Sequence, residues 1–157
     1  MENEYDKSLL VDEKQTYVRV TFADNGGEEY IGLLDGLIRM SEGILVMYSV
    51  YDKYSLEFAE RLLKNIRVMK DVDDDVIIPV ILVEYNDPSA QRGRSLSDNL
   101  TTEEGQELAT KLNVQFTQIT VNDGEAANKV FSNLIRMVLD ARNPKPVPQT
   151  NKKCIIM

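Results

Sequence analysis

The chain has 157 residues, 43% hydrophobic and 28% charged, with a formal net charge of −8, enough apolar content to build one domain with a full core. It holds no histidine and one cysteine, which removes zinc sites, histidine general bases, Cys/His nucleophilic pairs and a disulfide framework, and makes a reducing compartment the default. No stretch reaches the roughly 18–20 apolar residues of a membrane span, and the polar, acidic start Met1-Glu2-Asn3-Glu4-Tyr5-Asp6 is unlike a signal peptide.

In chain order, residues 16–22 alternate, with Val18, Val20 and Phe22 on one side and Tyr17, Arg19 and Thr21 on the other, which predicts a strand. Residues 43–50 form a continuous apolar run of β formers, the pattern of a strand covered on both faces. Leu56, Ala59, Leu63, Ile66 and Met69 recur at helical spacing and predict a helix over 53–70. The acidic run 71–75 reads as a solvated turn. A second buried strand is expected over 76–83, with Pro79 near its start or on a bulge. Thr101 or Thr102 caps a helix running to Leu112, since Thr101 and Glu104 make a capping box. Val114 and Phe116, with Gln118 as an optional third member, mark one side of a short strand. Ala127, Val130, Phe131, Leu134, Ile135 and Val138 stripe a last helix over 124–142. Buried strands separated by helices imply an α/β fold: a mostly parallel sheet with right-handed crossovers and flanking helices. Ligands on such sheets bind at the carboxyl ends of the strands.

The chain ends in Cys154-Ile155-Ile156-Met157. This fits the C-a-a-X prenylation signal, and a terminal Met points to farnesyl. Residues 143–151 carry three prolines and no apolar periodicity, so they read as an extended tether. The division expected is therefore a domain over 1–142 and a tail over 143–157. After Asp140 come Arg142, Lys145, Lys152 and Lys153 and no acid, a charge of +4 against −8 for the whole chain, which leaves −12 on the preceding residues. That balance argues against a nucleic-acid partner. One lipid with a short basic tail holds a membrane reversibly, so a soluble fraction is expected.

Several segments resemble the Ras-type small GTPases. Gly26-Gly27-Glu28-Glu29-Tyr30, after the first predicted strand, is similar to the D-T-A-G-Q-E-E-Y of that family's second switch, and Glu4-Tyr5-Asp6-Lys7-Ser8 to the E-Y-D-P-T of its first. Ser41-Glu42-Gly43 stands like T-G-E-G-F before a buried strand, and Pro79-Val80-Ile81-Leu82-Val83 resembles the P-x-V-L-V strand before the guanine-recognition loop. The resemblance runs from Glu4 to Met157. It implies a P-loop GTPase fold, GTP or GDP with Mg²⁺ as ligands, and a signalling role at the cytoplasmic face of the plasma membrane. A prenyltransferase and C-a-a-X-processing enzymes would be partners, beside effectors that the residues do not identify.

Measured against that family the chain departs at most nucleotide positions. No G-x-x-x-x-G-K-[ST] occurs in it, so the loop whose N–H groups and lysine neutralise phosphates is not among these residues. The family's first strand, phosphate loop and first helix are expected to be missing, leaving unpaired strand edges and the helix stripe of Phe131, Leu134 and Val138 short of packing. By resemblance, Ala23 stands for the magnesium-linked Asp, Gly27 for the water-orienting Gln, and Gly26 keeps the γ-phosphate N–H. Ser8 takes the place of the switch threonine that reaches Mg²⁺. N-K-x-D reads Tyr85-Asn86-Asp87-Pro88, and S-A-K reads Thr120-Val121-Asn122. Tyr5, Asp6, Glu28, Glu29 and Tyr30 fall at switch or effector positions; no catalytic residue is intact. Plainer readings stand beside these: Gly26-Gly27 and Asp87-Pro88 as turns, Glu28-Glu29 as a solvated face. Three functions compete: a Ras-like membrane signalling protein with impaired GTP binding and hydrolysis, an active GTPase whose phosphate loop lies upstream of Met1, and an unrelated α/β ligand-binding domain.

Overall fold

The structure, a computed structural model, describes residues 3–22, 31–91 and 99–143. Strands β1 (Asn3–Val11) and β2 (Lys14–Phe22) form an antiparallel ribbon, followed by helix α1 (Ile31–Met40) and strand β3 (Ile44–Ser49). Helix α2 (Lys53–Lys70), strand β4 (Val80–Asn86), helix α3 (Thr102–Lys111), strand β5 (Gln115–Thr120) and helix α4 (Gly124–Arg142) complete the order. The last three strands make a parallel sheet in the order β3-β4-β5, separate from the ribbon. The expected α/β fold with a parallel sheet and flanking helices is what the chain adopts.

Central strand β4 is apolar on both faces: Val80, Ile81, Leu82 and Val83 are all buried. Val46, Tyr48, Val80 and Leu82 face Ile38 of α1, Ala59 and Ile66 of α2, and Leu108 and Ala109 of α3. On the opposite face Ile81 and Val83 meet Val130 and Leu134 of α4. Helix α4 lies very close over the start of β3, since a Cβ on Gly43 would sit 2.8 Å from Val138 Cγ2. Its last residue, Arg142, pairs in a two-pronged contact with Glu42. Helix α4 therefore runs back along the sheet and ends beside the first residue of β3.

The caps explain the helix limits. Asp52 accepts from the N–H groups of Tyr54 (3.1 Å) and Ser55 (3.3 Å), starting α2, and Asp71 closes it in the left-handed conformation at φ 53°. Glu104 accepts from the Thr101 N–H at 2.8 Å, so Thr101 is the cap of α3. Asp123 accepts from Ala126 N–H at 2.9 Å at the head of α4. The strand expected over 76–83 begins only at Val80. Arg67 donates to the carbonyls of Asp73 (2.6 Å) and Val76 (2.9 Å), holding the preceding residues as a loop with Pro79 at the strand entrance.

Two elements had no clear sequence signal. β1 pairs with β2 along its whole length, from Asn3↔Phe22 to Val11↔Lys14. α1 is closed by Lys70, whose ammonium donates to the carbonyls of Ile38 (3.0 Å) and Ser41 (2.5 Å). The ribbon turn, Asp12-Glu13, puts two non-glycine residues at positive φ, 49° and 65°. The Arg136 guanidinium of α4 grips the Asp12 carboxylate at 3.0–3.1 Å. Lys7 donates to Asn128 of α4 at 2.9 Å and lies 5.3 Å from the centre of the Phe131 ring. The ribbon thus covers part of the α4 stripe, with Val11 buried at its end. It does not pair with β3. Among the described residues β3 is an edge strand, and Met47, on the α4 side of the sheet, is 47% exposed. The expectation that β3 is covered on both faces fails there.

Candidate functional site

The carboxyl ends of β3, β4 and β5 come together as the parallel register requires, with Asn86 opposite Thr120 and Tyr85 opposite Ser49 and Ile119. The strand ends are tied by backbone bonds: Val121 N–H to Asn86 O at 2.9 Å, and Val50 N–H to Tyr85 O at 3.2 Å. Tyr85, Asn86, Asp87, Thr120, Val121 and Asn122 are thereby gathered on one end of the sheet, with Asn122 in the left-handed conformation at φ 67°.

Two of their side chains are bonded within the chain. Asn86 Oδ1 accepts from the Tyr51 hydroxyl at 2.9 Å. Asp87 Oδ1 accepts from both the N–H (2.9 Å) and the hydroxyl (2.7 Å) of Ser89. That is an Asx turn, stabilising the short 3₁₀ segment Pro88–Gln91.

Directly below, Glu84 is 3% exposed. One of its carboxyl oxygens accepts from Tyr48 Oη at 2.7 Å. The other accepts from Gln118 Nε2 at 2.8 Å and Thr102 Oγ1 at 3.1 Å. Gln118 also donates to Thr102 Oγ1 at 2.9 Å. Burial, then the hydrogen bond to Glu84, pushes the Tyr48 phenol well above its ordinary value, so it remains a donor at any physiological pH. The cluster joins three strands to the first turn of α3. Gly105 completes it: a Cβ there would fall 1.9 Å from Tyr48 Oη, so the helix passes over the phenol with no room for a side chain. Sequence reasoning missed Glu84, Tyr48, Thr102 and Tyr51 as a group. The one available signal was a lone acid closing the apolar run of β4.

The first-switch candidates lie on β1. Asp6 pairs with Arg19 across the ribbon at 3.0 Å, and Ser8 Oγ accepts from Gln15 Nε2 at 2.9 Å. Tyr5 is 57% exposed. Gly26, Glu28, Glu29 and Tyr30 lie outside the described residues, as do Ala23, Gly27 and the terminal Cys154, Ile155, Ile156 and Met157. Among the described residues no group of three acidic or thiol side chains is placed to hold a metal ion, and no helix is long and apolar enough to cross a membrane.

A parallel sheet between helices, with its loops at the carboxyl ends of the strands, makes this an α/β domain of the kind that takes ligands at that end. The sequence profile of the Ras family matches residues 1–140. The chain belongs to that family of small GTPases. It is similar to the Ras-like protein RAS2 of Hydra vulgaris, 27% identical over all of this chain and 79% of the relative. It is also similar to the Ras-like protein rasS of Dictyostelium discoideum, 30% identical over 90% of this chain and 69% of the relative. A third relative, the Ras-like protein 1 of Saccharomyces cerevisiae, is 29% identical over 89% of this chain but only 42% of its own length.

Members of the Ras family generally bind GTP or GDP with Mg²⁺. The described residues fit that group poorly. One Asp87 oxygen is turned into its own turn, the Asn86 amide oxygen is taken by Tyr51, and the Ser8 hydroxyl is bonded across the ribbon.

Proposed function

We propose that this chain is a Ras-like signalling protein, held at the cytoplasmic face of the plasma membrane by a farnesyl group on Cys154, in which GTP binding and hydrolysis are impaired. The observation that supports the impairment is the engagement of Asn86 by Tyr51 and of Asp87 by Ser89, which takes up one oxygen of each guanine-loop side chain within the chain. The 157 residues also contain no G-x-x-x-x-G-K-[ST], and charge-assisted contacts to phosphates supply much of the affinity for a nucleoside triphosphate. GTP and GDP should bind this chain more weakly than about 10 μM with Mg²⁺ present. Calorimetry on protein purified free of nucleotide tests this, and nanomolar affinity overturns it.

The anchoring rests on Cys154-Ile155-Ile156-Met157. Cys154→Ser should move the protein from the membrane to the soluble fraction, with mass spectrometry of the terminal peptide reporting the lipid. A membrane-bound protein whose Cys154 is unmodified contradicts it. A second reading is favoured by the edge of β3, unpaired among the described residues: an active GTPase in which a segment upstream of Met1 supplies another strand and a phosphate loop. An in-frame G-x-x-x-x-G-K-[ST] in the upstream transcript would select that reading.

A further inference from the structure

The open edge of β3 offers a small, countable set of backbone groups. Ile44 and Val50 direct their N–H groups to the β4 side, bonding Pro79 O at 2.9 Å and Tyr85 O at 3.2 Å. Alternate residues of a strand point their N–H and C=O to opposite edges, so Leu45, Met47 and Ser49 face outward. Ser49 is already engaged, its N–H by Ser55 Oγ at 2.9 Å and its carbonyl by Asp52 N–H at 3.1 Å. Among the described residues two N–H groups and two carbonyls therefore remain without a strand partner, on Leu45 and Met47. Nothing in Ile44-Leu45-Val46-Met47-Tyr48-Ser49 guards this edge with a charge or a proline. The opposite edge, β5, is the polar Gln115-Phe116-Thr117-Gln118-Ile119-Thr120.

The chain carries a matching segment. Pro144, Pro146 and Pro148 alternate with Lys145, Val147 and Gln149. In an extended strand all three missing N–H groups then fall on one side and all three donors on the other. Such a strand can pair along one edge only, the position to which proline is confined in sheets. Asn143, Lys145 and Val147 each precede a proline and are biased to extended backbone, which lowers the entropy lost on ordering. The segment also starts in the right place, since Arg142 is tied to Glu42, two residues before β3. Asn143-Pro144 is a turn-favouring pair, and a reversal there would send the chain along β3 in the parallel sense of the sheet.

We propose that residues 144–149 dock as a fourth parallel strand on the outer edge of β3. In the register that starts at Lys145, Leu45 N–H donates to Lys145 O and Val147 N–H to Leu45 O. Met47 N–H donates to Val147 O, and Gln149 N–H to Met47 O. All four open groups are satisfied, and Pro148 stands opposite Met47, over its exposed side chain. The docked tail leaves four residues between the sheet and Cys154, so this contact sets how far the thiol reaches. It depends on neither nucleotide nor lipid.

The test is amide hydrogen exchange, followed by NMR, on the full unlipidated 157-residue chain. Leu45 and Met47 amides should be protected in the wild type. The double variant Val147→Pro/Gln149→Pro, which deletes the two inward donors, should release them by roughly tenfold or more. Pro146→Ala/Pro148→Ala, which adds donors only on the outer side, should leave them protected. Ile81 and Val83 amides of β4 report that every variant is folded. Unprotected Leu45 and Met47 in the wild type overturn the proposal. So does protection that survives the Val147→Pro/Gln149→Pro change, and protection lost on dilution would assign the edge to a second copy instead.

Discussion

Replacing Glu84 by leucine isolates the polar cluster at the heart of the sheet. Leucine fills a similar volume but accepts no hydrogen bond, so Tyr48, 2% exposed, is left with an unpaired phenol. A stranded buried donor costs roughly 1–3 kcal/mol, whereas Thr102 and Gln118 lie near the surface and can turn to water, so the net expectation is about 2 kcal/mol. Tyr48→Phe strands one oxygen of Glu84 instead and should cost a similar amount, about 1–2 kcal/mol. With both changes no unpaired group remains, and the double variant should be more stable than the sum of the singles predicts by about 1–2 kcal/mol. Urea unfolding measures this, since m-values of about 1–3 kcal/mol/M convert 2 kcal/mol into a midpoint shift of the order of 1 M. Two strictly additive single changes, or a Glu84→Leu variant as stable as the parent, would refute the hydrogen-bonded cluster as a source of stability.

Gly105→Ala should destabilise by about 1–3 kcal/mol or more, the usual range for overpacking, because its Cβ would meet Tyr48 Oη at 1.9 Å; a thermal melt of the variant checks it, and an unchanged midpoint would contradict the close approach. The phenol also sets an alkaline limit. Its folded pKa is raised above the ordinary 10.0, so the folded state holds the proton more tightly, and the stability this gives is complete below pH 10 and lost progressively above it. Urea midpoints taken from pH 8 to 11.5 should therefore fall more steeply for the parent than for Tyr48→Phe.

The parts of the fold legible in the sequence are those where one periodicity dominates. Leu56, Ala59, Leu63 and Ile66 mark α2, and Val130 and Leu134 mark α4, because each stripe faces one apolar layer. α1 was not legible: Gly32 and Gly36 lower its intrinsic helicity, and its end is closed from outside by Lys70. β1 hid its alternation because Lys7, on the inward side, is paired with Asn128 and Phe131, while Leu10, three residues on, is 72% exposed. For the candidate site, the gathering of Tyr85, Asn86, Asp87 and Thr120 followed from the topology of a parallel sheet. The engagement of Asn86 by Tyr51, and of Glu84 by groups from β3, α3 and β5, depends on cross-strand register, which no local pattern encodes.

The division into ribbon and sheet has a consequence for how the molecule comes apart. The contacts holding the ribbon to α4 include the Arg136–Asp12 pair, whose side chains are 45% and 63% exposed, the Lys7 contacts, and the buried Val11. Added salt screens the ion pair but leaves the apolar layers of β3, β4 and β5 intact. Residues 3–22 are thus expected to open at a lower free energy than the parallel sheet, and more readily as salt is added. The ribbon then answers to its ionic surroundings while the parallel sheet behind it holds its packing.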